Sequence, residues 1–146
     1  MAKILIIDDH YAMRETIRDI LEGEGHEILE AADGEAGIEC QRRAHVDLVI
    51  TDIFMPQKEG MSTIRELTAE FPELPIIAMS GGSQDLSAPE GFIELARRFG
   101  ARGTLAKPFT IQELLREVAA AVPVHKENPA PPTGSRVVDN SLGAGA

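Results

Sequence analysis

A single cysteine, Cys40, stands in the 146-residue chain. One thiol excludes an internal disulfide and fits a reducing compartment. On a helix its role is that of a half-buried, weakly polar residue. No apolar run approaches the roughly 20 residues of a membrane span. The N-terminus opens directly into a strand and lacks the layout of a signal peptide. The expectation is a soluble, cytoplasmic chain with no membrane partner. Positive charge is scarce: 14 Lys and Arg stand against 24 Asp and Glu, a formal net charge of -10. Lys126, Glu127, Arg136 and Asp139 cancel among themselves, so the excess of acid belongs to residues 1–122. Such a body is repelled by phosphate backbones, which argues against direct nucleic-acid binding. No Gly-rich phosphate loop follows the first strand, so a nucleotide cradle is also missing. Histidine and cysteine do not occur at metal-ligand spacing, which makes zinc and copper poor candidates.

What is present is apolar material for one core, 43% of the chain. The stretch Leu48-Val49-Ile50-Thr51-Asp52 organises the rest. It is short, β-branched and apolar on both faces, as a central strand buried under helices must be, and it runs out on a carboxylate. Lys3–Ile7 reads as a strand ending on Asp8-Asp9, followed by a helix from His10 to Glu24 that Gly23 and Gly25 close. His26–Ala31 is a weaker strand. Asp33-Gly34 reads as a turn before a helix from Glu35 to Arg43. After the central strand, Met61–Phe71 has helical spacing and is broken by Pro72 and Pro75. Pro75–Met79 is a fourth strand ending at Ser80, and Gly81–Pro89 a long loop. Glu90–Phe99 is helical, Gly103–Ala106 a fifth strand, and Thr110 caps a last helix, Ile111–Val122. Strands alternating with helices predict an α/β fold: a five-stranded parallel sheet in the flavodoxin-like order 2-1-3-4-5, with helices on both faces. The folded domain is expected over residues 1–122. From Pro123 the composition turns to Pro, Gly, Ser and Ala, and 123–146 reads as a disordered tail or linker.

A parallel sheet brings the C-terminal ends of its strands to one edge. Strand one delivers Asp8 and Asp9, strand three Asp52, strand four Ser80 and strand five Lys107. Gathered carboxylates repel one another, and a divalent cation among them makes the arrangement sensible. Mg²⁺ suits an all-oxygen site of one or two carboxylates with waters and phosphate oxygens. A cation and a lysine beside a carboxylate and a hydroxyl form a receptor for a phosphoryl group carried on that carboxylate.

These residues resemble the response-regulator receiver domain of two-component signalling, in its single-domain, chemotaxis-regulator-like form. The resemblance covers residues 3–122 and is carried by Ile6-Ile7-Asp8-Asp9, Asp52-Ile53-Phe54-Met55-Pro56, Met79-Ser80-Gly81 and Ala106-Lys107-Pro108-Phe109. It implies that Asp52 accepts a phosphoryl group from a phosphohistidine on a sensor histidine kinase or phosphotransfer protein. It implies Mg²⁺ bound by Asp9, Asp52 and the Phe54 carbonyl, with Asp8 acting through water. Ser80 and Lys107 would contact the phosphoryl oxygens, and the Lys107-Pro108 bond would be cis. The output would be a changed protein–protein contact over the Glu90–Val122 face, and no enzymatic activity beyond the domain's own phosphorylation and dephosphorylation.

The chain departs from the family at several positions. Thr104 stands three residues before the lysine, where relatives carry an aromatic, so the usual hydroxyl-plus-aromatic switch, at Ser80 and Thr104 here, is incomplete. Ser80 replaces the commoner threonine. Phe54 and Gly82 occupy positions that flank the attacking water in relatives, and the loop from Gly81 to Gly91 is several residues long for the family. The missing aromatic motivates a rival reading, a pseudo-receiver that binds partners without phosphorylation. An aspartate-nucleophile phosphatase wants a second acid two residues after the nucleophile, where this chain has Phe54. His10, beside the acid pair, reads as a rim residue, and His26, His45 and His125 as helix or loop surface.

Overall fold

The computed structural model describes residues 1–53, 60–81 and 89–122. The expectations placed on Phe54, Gly82 and the tail 123–146 lie outside the described residues, as do the side chains at 89–93 that begin the expected output face. Five strands alternate with five helices: β1 (Lys3–Ile7), α1 (Tyr11–Gly23), β2 (Glu27–Ala31), α2 (Gly34–Ala44), β3 (Leu48–Asp52), α3 (Gly60–Glu70), β4 (Ile76–Gly81), α4 (Pro89–Phe99), β5 (Gly103–Lys107) and α5 (Ile111–Ala121). The strands form one parallel sheet in the order β2-β1-β3-β4-β5, the predicted order.

The two faces of the sheet follow from the two-residue period of the strands. Leu5, Ile7, Val49, Ile76 and Ala78 pack with Ile38 of α2, Ile64 and Leu67 of α3 and Ala96 of α4. The alternate residues Ile4, Ile6, Leu48, Ile50, Ile77 and Met79 pack with Ile17 and Leu21 of α1 and Leu114 and Val118 of α5. Every residue of β3 is buried, as expected of a central strand covered on both sides.

Some boundaries differ from the sequence reading, each for a local reason. Asp33 is not a turn residue: its carboxylate accepts the amide of Ala36 at 2.8 Å and caps α2, which leaves Gly34 as the first helical residue. His45 ends that helix in the left-handed region at φ 52°. Asp52, Ser80, Gly81 and Lys107 belong to their strands rather than following them, because pairing with the neighbouring strand continues to the last residue. Thr110 caps α5 as expected, and the cap is reciprocal. Its hydroxyl accepts the Glu113 amide while the Glu113 carboxylate accepts the Thr110 amide. Cys40 is half-buried on α2. No helix among the described residues is long and apolar enough to cross a membrane.

Gly60 fastens the start of α3 to the end of β3. Its amide donates to the Ile53 carbonyl at 2.9 Å. A Cβ on Gly60 would collide with the Ile53 Cα and the Asp52 carbonyl oxygen, both of them backbone atoms that cannot swing aside. Gly60→Ala is therefore expected to cost about 1–3 kcal/mol of stability by overpacking. A urea unfolding midpoint equal to that of the wild type would show that the contact relaxes freely.

Candidate functional site

β1, β3, β4 and β5 end along the C-terminal edge of the sheet, and the expected polar residues converge there. Asp8, just past β1, is fully buried; Asp52, the last residue of β3, is 2% exposed. The Lys107 ammonium reaches both: Nζ lies 3.0 Å from Asp52 Oδ2 and 3.3 Å from Asp8 Oδ2, and its side chain is 9% exposed. Burial works to lower the lysine's pKa, but the adjoining Asp52 and then Asp8 outweigh it, and the net displacement is upward from 10.5. The ammonium therefore stays charged at neutral pH. A cis peptide bond joins Lys107 to Pro108, as the resemblance implied. Phe109 then packs against the α1/α5 side of the core.

Ser80 lies one residue beyond Met79, the register partner of Asp52. It is 1% exposed, and its hydroxyl has no hydrogen-bond partner among the described residues. A buried hydroxyl without a partner costs on the order of 1–3 kcal/mol.

Asp9 is the exposed member of the acid pair. Asp8, Asp9, His10 and Asp52 each present one potential ligand atom, all within 4.8 Å of one another. Three carboxylates against one ammonium leave two net negative charges. A hard divalent cation fits that charge and the carboxylate oxygens of the three aspartates. Of the expected cation ligands, Asp9 and Asp52 are brought together, with Asp8 beside them. The sequence reading did not include His10 among them. It is 70% exposed, as a rim residue is, yet its Nδ1 lies 3.2 Å from Asp9 Oδ1 and 3.3 Å from Asp8 Oδ1.

Thr104 is half-exposed on β5, opposite Ala78 of β4. Its hydroxyl accepts a hydrogen bond from Arg97 Nη2 of α4 at 3.3 Å. Where an aromatic ring was missing, the chain has a polar link between α4 and β5.

Arg14 of α1 was not singled out in the sequence. Its Nη1 donates to the Asp8 carbonyl at 2.6 Å, and its Nε to Glu30 Oε1 on β2 at 3.1 Å. Glu30 Oε2 also accepts from Arg18 Nη1 at 2.6 Å. This chain of bonds holds the backbone between the two acids against the neighbouring strand. The only local sign is that Arg14 and Arg18 share a helix face; their carboxylate partner comes from another element.

The model of the response regulator receiver domain family matches residues 4–119. Protein PilH of Pseudomonas aeruginosa is 34% identical over 124 residues, which covers 84% of this chain and 98% of PilH. The transcriptional regulatory protein PdtaR of Mycobacterium tuberculosis is 32% identical over 126 residues, 86% of this chain but 58% of that longer protein. Among solved structures, a receiver domain protein of Clostridium thermocellum superposes with a TM-score of 0.74 at 34% identity, covering 83% of this chain and 94% of that one. The chemotaxis protein CheY4 of Vibrio cholerae superposes with a TM-score of 0.73 at 26% identity, covering 84% and 99%. With the fold, the strand-edge residues and these likenesses in agreement, the chain belongs to the response regulator receiver domains of two-component signalling.

Proposed function

We propose that Asp52 is the phosphoacceptor of a phosphorylation-controlled switch, and that a sensor histidine kinase or a histidine phosphotransfer protein is its donor. The observation that carries this reading is the Lys107 ammonium held between the buried Asp8 and Asp52, at the same strand edge as the unpartnered Ser80 hydroxyl. A carboxylate oxygen of Asp52 attacks the phosphorus of a phosphoimidazole, the P–O bond forms as the P–N bond breaks, and the imidazole leaves with the electron pair. Lys107 and Ser80 donate hydrogen bonds to the transferred phosphoryl oxygens. Phosphoryl transfer depends chiefly on positioning and charge neutralisation, and both groups act in that way. Asp9 and Asp52, with the Phe54 carbonyl and with Asp8 through water, would hold Mg²⁺, whose chemistry there is to neutralise the charge on the phosphoryl oxygens.

The added phosphoryl group brings about -1.5 to -2 charges to a site with two net negative charges already. It favours an active arrangement only through contacts that differ between the two states. Lys107 ends β5 and Ser80 lies in β4, so a change in what they bind passes to the α4, β5 and α5 surface. The output is a protein contact over Glu90–Val122, made in the cytoplasm and without nucleic acid, in line with the charge of -10. On this reading the domain is not an enzyme towards other substrates.

One feature favours a phosphorylation-independent binding module instead: Thr104 and its bond to Arg97 where relatives place a mobile aromatic. The two readings part on one measurement. Incubated with acetyl phosphate and Mg²⁺, the wild type is expected to gain one phosphate by intact mass, and Asp52→Asn none. No gain in the wild type under any phosphodonor would leave the binding module.

Lys107 also sets a pH dependence. Its folded-state pKa lies above 10.5, so its stabilisation is whole below 10.5 and is lost as pH rises through the folded value. Lys107→Met strands two buried carboxylates and is expected to cost on the order of 3 kcal/mol at neutral pH. Denaturant midpoints of wild type and variant should then converge above pH 10.5. A gap that holds constant to the alkaline limit would separate the lysine's contribution from its charge.

A further inference from the structure

We propose that His10 is a nitrogen ligand of the acidic cation site, so that the site takes a borderline divalent metal of the nickel or zinc class as well as a hard cation. The proposal rests on the cation-binding reading above and extends it to which metals are accepted. The donor set differs from the all-oxygen set that the spacing of residues along the chain suggested. His10 Nδ1 lies 3.2 Å from Asp9 Oδ1 and 3.3 Å from Asp8 Oδ1. Donors about 2.0–2.2 Å from one metal ion stand about 3.0–3.4 Å apart when they are neighbours in its shell. These are hydrogen-bond and ion-pair contacts, and neighbours in one metal shell stand at the same spacing, so the imidazole can share an ion with the acids without a large movement. Asp52 completes the group of four within 4.8 Å.

The oxygens of Asp8 are divided between two tasks. Oδ2 faces Lys107 at 3.3 Å, while Oδ1 accepts the His10 amide at 2.9 Å and faces the ring. The backbone bond fixes where His10 leaves the chain, and its side chain is 70% exposed. Asp8 and Asp52 form the buried side of the site, and Asp9 and His10 the side open to solvent. A separate sign that this strand edge is built for a ligand is the buried Ser80 hydroxyl, which has no hydrogen-bond partner among the described residues.

Chemistry decides what the nitrogen adds. Magnesium keeps oxygen donors and several waters, and an imidazole contributes little to its binding. Nickel, copper and zinc favour imidazole, and their intrinsic affinities for mixed nitrogen and oxygen donors exceed those of earlier metals. A receiver site with this residue after its acid pair should therefore discriminate less against borderline metals than an all-oxygen one.

Isothermal titration of the full chain with NiCl₂ and, separately, MgCl₂ tests this in the wild type, His10→Ala, His10→Phe and Asp9→Asn. Both His10 substitutions are expected to weaken Ni²⁺ by about tenfold or more. They should leave Mg²⁺ within about twofold, because magnesium draws on the oxygens. Tyr11, the only tyrosine in a chain without tryptophan, adjoins His10 and supplies a second readout. Its fluorescence should be quenched by bound Ni²⁺ in the wild type and spared in both His10 variants at the same concentration. Nickel affinity unchanged by both His10 substitutions would overturn the proposal, whether or not Asp9→Asn abolishes binding. His10-dependent Ni²⁺ binding with no Mg²⁺ binding would sustain it and remove the hard-cation reading instead.

Discussion

The contact between the Lys107 ammonium and the carboxylates of Asp8 and Asp52 is the constraint on which the rest of this structure depends. Two buried carboxylates at one sheet edge are not tolerable without opposite charge close by. The lysine supplies it from β5, across β4, at the end of a strand whose pairing is continuous to its last residue. Charge balance at the site is therefore tied to the order of strands in the sheet. The same contact leaves the site incompletely neutralised, with one positive charge against three aspartates. A partly compensated cluster is a poor stabilising device and a good receptor. Its uncompensated negative charge and gathered carboxylate oxygens suit a divalent cation.

Around that contact the backbone is held more firmly than the side chains. Arg14 binds the Asp8 carbonyl and, through Glu30, joins it to β2. Gly60 lets α3 start against the last residues of β3. Both residues meet the backbone of the segments that carry the carboxylates. The site thus has a buried half, Asp8 and Asp52, and a half that faces solvent, Asp9 and His10. Thr104 and Arg97 give the α4–β5 surface a polar link where the family's aromatic residue is missing.

Much of this was legible along the chain because it depends on periodicity. Alternation in the strands, 3.6-residue spacing in the helices and the breakers between them are local properties, and a β/α alternation with right-handed crossovers admits few strand orders. Asp8, Asp9, Asp52, Ser80 and Lys107 could be named as one group because each ends a strand, and a parallel sheet places those ends on one edge. Local chemistry was misread at Asp33, where a helix cap passed for a turn, since a capping carboxylate and a turn carboxylate look alike until the amide they bind is known.

The sequence by itself determined the architecture, the edge at which the site lies and the residue types available there, since these follow from local pattern and from the geometry of parallel strands. Only the tertiary structure decided how the partners are distributed: Lys107 to Asp8 and Asp52, Arg14 to a backbone carbonyl and to Glu30, His10 to the acid pair, Ser80 to none. The physical reason is that side-chain reach and burial depend on what neighbouring elements leave open. Distances of three ångströms between residues as far apart in the chain as Asp8 and Lys107 are set by packing, which no window along the chain contains.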